Sequence, residues 1–282
     1  MGEDNKDIDD DFDETLDIET QKAIDTDIDM LQKTKIDNKR IKRIDQSKKR
    51  AAIESVFDER TVFLLNKLLV NGPLEKIEGV ISAGKEANIY LGYDLRGKEV
   101  AIKIYKIDSN TSKWMRNYII GDPRFKNIPR NISKIIFLWA SKEYKNLKRA
   151  HKAGLSVPNP LFIKNNILIM EYIGFGSIPA PLLKDIISPK EPVNLMNEIL
   201  TFIKDLYQKA KLVHGDLSEF NILYHNQKPI VIDISQAVSI HHPKAEVFLV
   251  RDIKNIFKYF EKLGLDTPDP KDFYYRVINI DK

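Results

Sequence analysis

The sequence predicts an α+β fold with two lobes: a small lobe built on a β-sheet with one main helix, and a larger, mostly helical lobe. Alternating apolar residues between positions 76 and 105 indicate three short strands of the first lobe. The segment 133–153 carries apolar residues at helical spacing and is predicted to be the main helix of that lobe. A hairpin at 161–173 completes the sheet, and an amphipathic helix at 194–211 begins the second lobe.

Turn and stop signals separate these elements in chain order. A first helix, predicted at 55–70, ends at an Asn-Gly-Pro sequence that cannot continue it. The three strands are predicted at 76–82, 87–93 and 99–105. In the second lobe, a short hairpin turns around Asn226, and a final long helix opens near Pro243.

We expect three regions along the chain. Residues 1–50 form a charged tail, acidic first and then basic, which buries too little apolar surface to fold and is expected to be disordered. The tail is either simply solvated or an electrostatic arm for RNA or a ribosomal surface, which the acidic stretch would screen. The small lobe is expected at 51–173, with a long irregular insert at 108–132, and the large lobe at 174–282.

Composition excludes several classes of protein. The chain has 282 residues, of which 43% are hydrophobic, so it has room for one large domain or two lobes, plus a tail, and enough apolar residues for a core. It contains no cysteine, which rules out disulfides, thiolate metal sites and cysteine nucleophiles. No apolar run has the length of a membrane span, so we expect no membrane partner and a cytoplasmic location.

The segment VHGDLSEFNILYHNQKPIVIDISQ, residues 213–236, carries three polar residues at a spacing that suits phosphoryl transfer from ATP. Asp216 and Asn221 precede the predicted hairpin, and Asp233 follows it, so the hairpin would bring all three together. Such a reaction needs an aspartate to orient the attacking hydroxyl, and an amide and a carboxylate to hold magnesium against the phosphates. Each residue taken alone is also an ordinary turn or capping residue; their combination favours catalysis.

Two segments of the small lobe are candidates for binding phosphate groups. The turn at 82–88 joins two strands through small residues, which lets backbone N–H groups approach phosphate oxygens, although an ordinary hairpin has the same features. Lys103 interrupts the apolar strand VAIKIY. A lysine in such a strand lies either at a sheet edge or inside a site.

Glu143 is the expected partner of Lys103. It falls within the apolar stripe of the helix at 133–153, and a carboxylate buried there would need an ion-pair partner. If the helix were rolled about its axis, Glu143 would instead be a surface residue beside Lys142 and Lys145. The insert at 108–132 mixes basic and aromatic residues, which suits a flap that docks a nucleotide, RNA or protein, and equally suits partial disorder.

Taken in order, these motifs resemble the RIO family of atypical serine/threonine protein kinases, and most closely its type-1 branch in an archaeal-sized form. The resemblance runs from about residue 53 to 264. It rests on SAGKEANIY, VAIKIY, LWASKEYKNLKRA, GLSVPNP, ILIMEYIG, LVHGDLSEFNILY and IDISQAV. It implies a trimmed two-lobed protein-kinase-like fold that lacks the activation segment and the peptide-docking subdomain; only about fifty residues follow Asp233, and none of them form an A-P-E sequence.

The resemblance also implies roles for individual residues. Asp216 matches the catalytic aspartate, Asn221 and Asp233 match the magnesium ligands, and Lys103 matches the phosphate-contacting lysine paired with Glu143. The hinge that meets adenine would fall at Glu171 and Ile173, with Met170 lining the pocket. The full set of residues expected around the nucleotide is Ser82, Gly84, Lys85, Glu86, Ala101, Lys103, Glu143, Met170, Glu171 and Ile173.

The implied cofactors are ATP and Mg²⁺, with Mn²⁺ as an alternative metal. The implied function is a kinase or ATPase that phosphorylates itself on serine and acts on the precursor of the small ribosomal subunit, with its rRNA and ribosomal proteins; no DNA partner is expected. One alternative is a nucleotide-gated assembly factor with negligible kinase activity. Another is a small-molecule phosphotransferase, because His-Gly-Asp is common in that class whereas the type-1 branch usually has Ala where Gly215 stands.

Overall fold

The computed structural model describes residues 57–278. The predicted charged tail, residues 1–50, lies outside the described residues, and its disorder stays a prediction. The first described helix, α1 (Glu59–Val70), begins at Asp58, whose carboxylate accepts the backbone N–H groups of Arg60 and Thr61. It ends at Val70, as the Asn-Gly-Pro signal predicts.

A five-stranded antiparallel sheet forms the small lobe, in the spatial order β1-β2-β3-β5-β4. Its strands are β1 (Leu74–Ala83), β2 (Ala87–Asp94), β3 (Glu99–Tyr105), β4 (Pro160–Lys164) and β5 (Ile167–Glu171). Strand β3 is central, and its residues from Val100 to Tyr105 are all buried. Lys103 therefore lies in the interior of the sheet rather than at its edge.

Two helices cover this sheet lobe. The main helix, α3 (Ile132–Lys152), begins at Asn131, whose side chain accepts the N–H of Lys134, and it packs against β4 and β5. Helix α2 (Ser109–Ile119) precedes it and packs on α3. Asp108 caps α2 by accepting hydrogen bonds from the backbone and the hydroxyl of Thr111.

Helix α2 corrects the prediction of an irregular insert at 108–132. Met115 and Ile119 lie one helical turn apart and are fully buried against α3 with Phe125. The aromatic residues that suggested a docking flap also pack inside the protein: Trp114 meets Trp139 edge to face, and Tyr118 stacks on Phe248. The capped, amphipathic pattern was present in the sequence, but its mixture of charges concealed it.

Within residues 57–278, the large lobe consists of three α-helices and three short strand pairings. After the hairpin of β6 (Gly174–Phe175) and β7 (Ile178–Pro179), the helices are α4 (Pro192–Gln208), α5 (Ala245–Lys262) and α6 (Pro270–Ile278). The strands are β8 (Leu212–Val213), β9 (Ile222–His225), β10 (Lys228–Val231) and β11 (Val238–Ser239). Helix α4 ends three residues before the predicted position.

Two strand pairings position the central motif. Strands β9 and β10 form the predicted hairpin, and the N–H of Ile232 donates to the carbonyl of Asn221 at 2.8 Å. Strand β8 pairs with β11, so the chain before Asp216 is bonded to the chain after Asp233. The hairpin therefore returns Asp233 to the neighbourhood of Asp216, and only 234–244 separate Asp233 from α5.

No helix within residues 57–278 is both long enough and apolar enough to cross a membrane.

Candidate active site

Three elements meet at the Lys103 side chain. Its Nζ lies 2.8 Å from Oε1 of Glu143 on α3 and 2.9 Å from Oδ1 of Asp233, which follows β10. The hydroxyl of Tyr105 donates to the other oxygen of Glu143. Because Glu143 is completely buried, the alternative that placed it on the surface is excluded. The expected ion pair between strand and helix is present, and Asp233 extends it to a third element.

The electrostatics of this cluster favour the charged forms of Lys103 and Asp233, whereas burial raises the pKa of Glu143. Burial by itself lowers the pKa of Lys103, but Asp233 and Glu143 outweigh it and raise that pKa above its ordinary value. Burial raises the pKa of Asp233, but the Lys103 ammonium and the hydroxyl of Ser235, 2.8 Å from Oδ1, bring it below its ordinary value. Asp233 is thus an ionised carboxylate at neutral pH. Its side chain is 49% exposed, so it remains accessible to a ligand.

Asp216 lies on the loop between β8 and β9 and is exposed. Its Oδ2 accepts a hydrogen bond from the side-chain amide of Gln236 at 2.9 Å. Although the residue as a whole is exposed, its carboxyl group is partly desolvated by its surroundings, and this raises the pKa of Asp216; the Arg251 guanidinium opposes the rise, and Asp233 adds to it. Asp216 and Asp233 therefore sit in one site with pKa values moved in opposite directions.

The loop that carries Asp216 is anchored by Asp252, a buried residue of α5. Its two carboxylate oxygens accept the backbone N–H groups of Gly215 at 2.8 Å and Leu217 at 2.9 Å, one on each side of Asp216. Gly215 has φ of +81°, in the left-handed region where a side chain causes strain, so this backbone favours glycine over alanine. Nothing in the sequence marked Asp252, because its partners are backbone groups of a distant loop.

Asn221 is bonded to the same loop. Its Nδ2 donates to the carbonyl of Asp216 at 2.6 Å, and its Oδ1 accepts the N–H of Ser218 at 3.0 Å. Among residues 57–278, no group of three or more histidine or acidic side chains is arranged to hold a metal ion.

The turn predicted at 82–88 to cover phosphate groups is shorter in the structure, because Ser82 belongs to β1 and only residues 84–86 lie between β1 and β2. Ser82, Gly84 and Lys85 are exposed, and the Gly84 N–H donates to the carbonyl of Ala87 at 3.0 Å. Glu86 is partly buried and faces the acidic groups of the site. Burial, and then the nearby Asp233 carboxylate, raise the pKa of Glu86 to about 7.

The predicted hinge residues lie at the end of β5: Glu171 is the last residue of the strand, and Ile173 follows it. Ala101 pairs with Met170 across the β3–β5 ladder, so these two side chains lie side by side. The N–H of Glu171 donates to Asn159, and the carbonyl of Ile173 accepts from Ala180. Those two backbone groups are therefore already used within the chain.

Sequence reasoning missed a second group of side chains near the site. Lys142 and Asn146 of α3 bond to backbone carbonyls of the segment directly after Asp233. Both side chains are completely buried. The helical spacing of α3 could have indicated that two polar residues lie on its buried face. The sequence could not show that their partners are backbone carbonyls about 90 residues further along the chain.

Comparison with known proteins identifies the family. The model of the RIO domain matches residues 88–273. The RIO-type serine/threonine-protein kinase Rio1 of Haloferax volcanii is 39% identical over 228 residues, which cover 81% of this chain and 77% of that protein. The serine/threonine-protein kinase RIO1 of Caenorhabditis elegans is 40% identical over 251 residues, covering 87% of this chain but only 49% of the relative.

Solved structures agree with this result at the level of the fold. The crystal structure of the Rio2 kinase from Chaetomium thermophilum superposes with a TM-score of 0.58 and 25% identity, covering 75% of this chain and 66% of that one. The Rio2 kinase–ADP/Mg²⁺–phosphoaspartate complex from the same organism gives a TM-score of 0.61 at 24% identity, covering 78% and 65%. The predicted trimmed two-lobed fold is confirmed, and the chain belongs to the RIO family of serine/threonine-protein kinases.

Proposed function

We propose that this RIO-type kinase transfers the γ-phosphoryl group of Mg²⁺-ATP to a serine or threonine hydroxyl. The observation that carries the proposal is the arrangement around Lys103, whose Nζ contacts both Glu143 and Asp233. Three residues after Asp233, the side-chain amide of Gln236 donates a hydrogen bond to Asp216, which ties the second aspartate to the same site. An ionised lysine, an ionised carboxylate and a second carboxylate within one cleft are the groups that phosphoryl transfer requires.

The nucleotide is proposed to lie between the lobes. Adenine would meet the carbonyl of Glu171 and the N–H of Ile173, since the other polar backbone groups of these residues are bonded within the chain. Ala101 and Met170 would line its apolar faces. The segment from Ser82 to Glu86, with Gly84 and Lys85, would cover the phosphates, and the Lys103 ammonium would contact them.

The residues present fit a magnesium ion. Oδ1 of Asp233 is bonded to Lys103 and Ser235, so we assign Oδ2 to the metal. The side-chain oxygen of Asn221, Oδ1, accepts one hydrogen bond, from the Ser218 N–H, and has a second lone pair. These are hard oxygen donors, and Mg²⁺ is commonly held by one or two such protein ligands together with substrate phosphates. The same donors accept Mn²⁺. When bound, the metal neutralises phosphate charge.

Asp216 is proposed as the group that orients the acceptor hydroxyl. Its carboxylate takes the hydroxyl proton as the acceptor oxygen forms a bond to the γ-phosphorus; the bond from that phosphorus to the β–γ bridging oxygen breaks, and ADP leaves. The raised pKa of Asp216 makes it a better proton acceptor than an ordinary aspartate. Asp252 holds the backbone on both sides of Asp216, and this is proposed to fix the position of the carboxylate for the acceptor hydroxyl.

The acceptor is proposed to include a serine of the chain itself, as the family resemblance implies. We consider four serines of the small lobe as acceptors: Ser82, Ser109, Ser112 and Ser133. Ser82 and Ser109 are exposed, Ser133 is partly buried, and Ser112 is buried with its hydroxyl bonded to the carbonyl of Ser109. Ser82 and Ser109 are therefore the better acceptors. We further propose that the partner is the precursor of the small ribosomal subunit and that the protein acts in the cytoplasm. We also propose that its two lobes divide at residue 173.

The test is incubation with γ-labelled ATP and Mg²⁺, with and without small ribosomal subunits. We expect acid-stable label on serine in the wild-type protein and its loss in the Asp216→Asn variant. No label and no ADP formation with either sample would contradict the proposal. Peptide mapping then distinguishes Ser82 from Ser109.

A second candidate is an ATP-operated binding factor that hydrolyses ATP without phosphorylating other proteins. The observation that favours it is the short connection between Asp233 and α5, which consists of residues 234–244. Ordinary protein kinases have their longer activation segment at this position, followed by the subdomain that docks a peptide. The Rio2 complex cited above contains a phosphoaspartate, and the equivalent event here would modify Asp233. Label that hydroxylamine releases would support this candidate, and label stable to hydroxylamine would exclude it.

A further inference from the structure

The segment after Asp233 is held by its carbonyl groups. Lys142 Nζ donates to the carbonyl of Ser235 at 2.6 Å and of Ala237 at 2.5 Å. Asn146 Nδ2 donates to the carbonyls of Ile234 at 2.9 Å and Ala237 at 3.0 Å. Two side chains of α3 thus bond three of the four carbonyls from residue 234 to 237.

Lys142 is an unusual residue for this task. Its side chain is completely buried, and its bonded partners are carbonyls rather than a carboxylate. Burial, aided by the Arg124 guanidinium, puts the pKa of Lys142 well below its ordinary value. An apolar side chain would fill the same volume without that desolvation cost. The hydrogen bonds to the segment are what the lysine adds.

The orientation of Asn146 is fixed from a third element. Arg124, which follows α2, donates from Nη1 to Oδ1 of Asn146 at 2.7 Å, and from its other groups to Asp122. With Oδ1 occupied by a donor, the Nδ2 group of the amide must point to the carbonyls of Ile234 and Ala237. The insert therefore sets which way the Asn146 amide faces.

The backbone of Asp233 needs such support. It adopts φ of +56° and ψ of +56°, the left-handed conformation, which is unfavourable for an aspartate and persists only where contacts with the surrounding structure offset the strain. The bonds from α3 begin at the next residue, so they are placed to impose it. Glu143 lies between Lys142 and Asn146 on the same helix and orients Lys103, which holds the Asp233 side chain.

We propose that Lys142 and Asn146 are positioning residues that fix the backbone of Asp233, and that Arg124 of the insert orients Asn146 for this role. Helix α3 then positions Asp233, the proposed metal ligand, in two ways. Glu143 acts through Lys103 on the Asp233 side chain, and Lys142 and Asn146 hold the backbone that follows it. The inference rests on the proposed role of Asp233, but its structural part does not require that role.

The test compares Asn146→Leu with Gln208→Leu. Gln208 is the matched control because its amide also donates to two backbone carbonyls, those of Arg276 and Val277, far along the chain from Asp233. In the protein without nucleotide or metal, amide hydrogen exchange is measured peptide by peptide. Asn146→Leu is expected to speed exchange in 233–239 by about tenfold or more, since two hydrogen bonds that hold the segment are lost. Gln208→Leu is expected to leave those peptides unchanged.

The second readout is the gain in ADP affinity on adding Mg²⁺. It is expected to fall by about tenfold in Asn146→Leu and in Lys142→Met, with metal-free ADP affinity retained, and to be unchanged in Gln208→Leu. Exchange and metal gain in Asn146→Leu equal to those of the control would overturn the inference. If the wild-type protein shows no metal gain and no turnover, the proposed function fails, and the exchange comparison alone then decides whether these residues fix the segment.

Discussion

Asp216 and Asp233 are two aspartates of one candidate site, and they differ in the charged and hydrogen-bonding groups that surround them. Asp216 lies on a loop anchored by backbone bonds to Asp252, and its side chain meets one neutral amide, that of Gln236. Asp233 has the ammonium of Lys103 at 2.9 Å and the hydroxyl of Ser235 at 2.8 Å. Burial raises the pKa of the first, while the lysine lowers the pKa of the second.

The difference shows how identical side chains receive different roles. A carboxylate that must accept a proton benefits from a raised pKa, whereas one that must hold a metal has to stay ionised. Asp216 has the first environment and Asp233 the second. The predictions below test this division, from the largest expected effect to the smallest.

Asp233→Ala is expected to have the largest effect. It removes a proposed metal ligand and leaves Lys103 with one partner, so kcat should fall by about 10³-fold or more, since several kcal/mol of transition-state stabilisation are lost. ATP turnover at saturating Mg²⁺ measures it. Turnover within tenfold of the wild-type rate would remove Asp233 from the mechanism.

Asp216→Asn is expected to lower kcat by about 10²- to 10³-fold, because a neutral amide cannot take the acceptor's proton. The KM for ATP should change little, since no nucleotide contact is proposed for Asp216. Steady-state kinetics with a fixed acceptor separate the two constants. A large rise in the KM for ATP with an unchanged kcat would contradict the role of base.

Glu143→Gln breaks a completely buried ion pair while keeping the shape of the side chain. We expect a loss of about 3 kcal/mol in stability, lowering Tm by about 6 to 12 °C. The KM for ATP should rise about tenfold, because Lys103 loses the partner that orients it. Calorimetry and ATP titration check the two effects. A Tm equal to that of the wild-type protein would mean that Asp233 alone holds the lysine.

Gln236→Leu is expected to have the smallest effect, on pH dependence alone. Gln236 donates to ionised Asp216 and so stabilises the charged form; its loss should raise the pKa of Asp216. Since the ionised form is active, the acidic limb of kcat/KM should move to higher pH by about 0.7, from a bond of about 1 kcal/mol. A shift to lower pH would contradict the assignment of Asp216 as the titrating base.

The fold class, the sheet and the contact between Lys103 and Glu143 could be predicted from the sequence, because their signals are local. Alternation identified β3 and Lys103, and the spacing of Asp216, Asn221 and Asp233 indicated a returning hairpin. The partner of Lys103 could be inferred because a carboxylate interrupted an apolar helical stripe.

What the sequence could not give depends on contacts between distant segments. Asp252, Lys142 and Asn146 act on backbone groups, which leave no trace in residue types, and their partners lie 35 or more positions away. Helix α2 was missed for a different reason. Its apolar residues Met115 and Ile119 form a narrow stripe among polar and charged neighbours, and only packing on α3 shows which face is internal.

The most direct test of the division between the two aspartates is the effect of Mg²⁺ on ADP binding, measured by titration calorimetry in Asp216→Asn and Asp233→Ala. No catalytic turnover is needed. Asp216→Asn is predicted to keep the wild-type gain in affinity on adding Mg²⁺, and Asp233→Ala to lose it while still binding metal-free ADP. Equal loss in both variants, or retention of the gain in Asp233→Ala, would contradict the account.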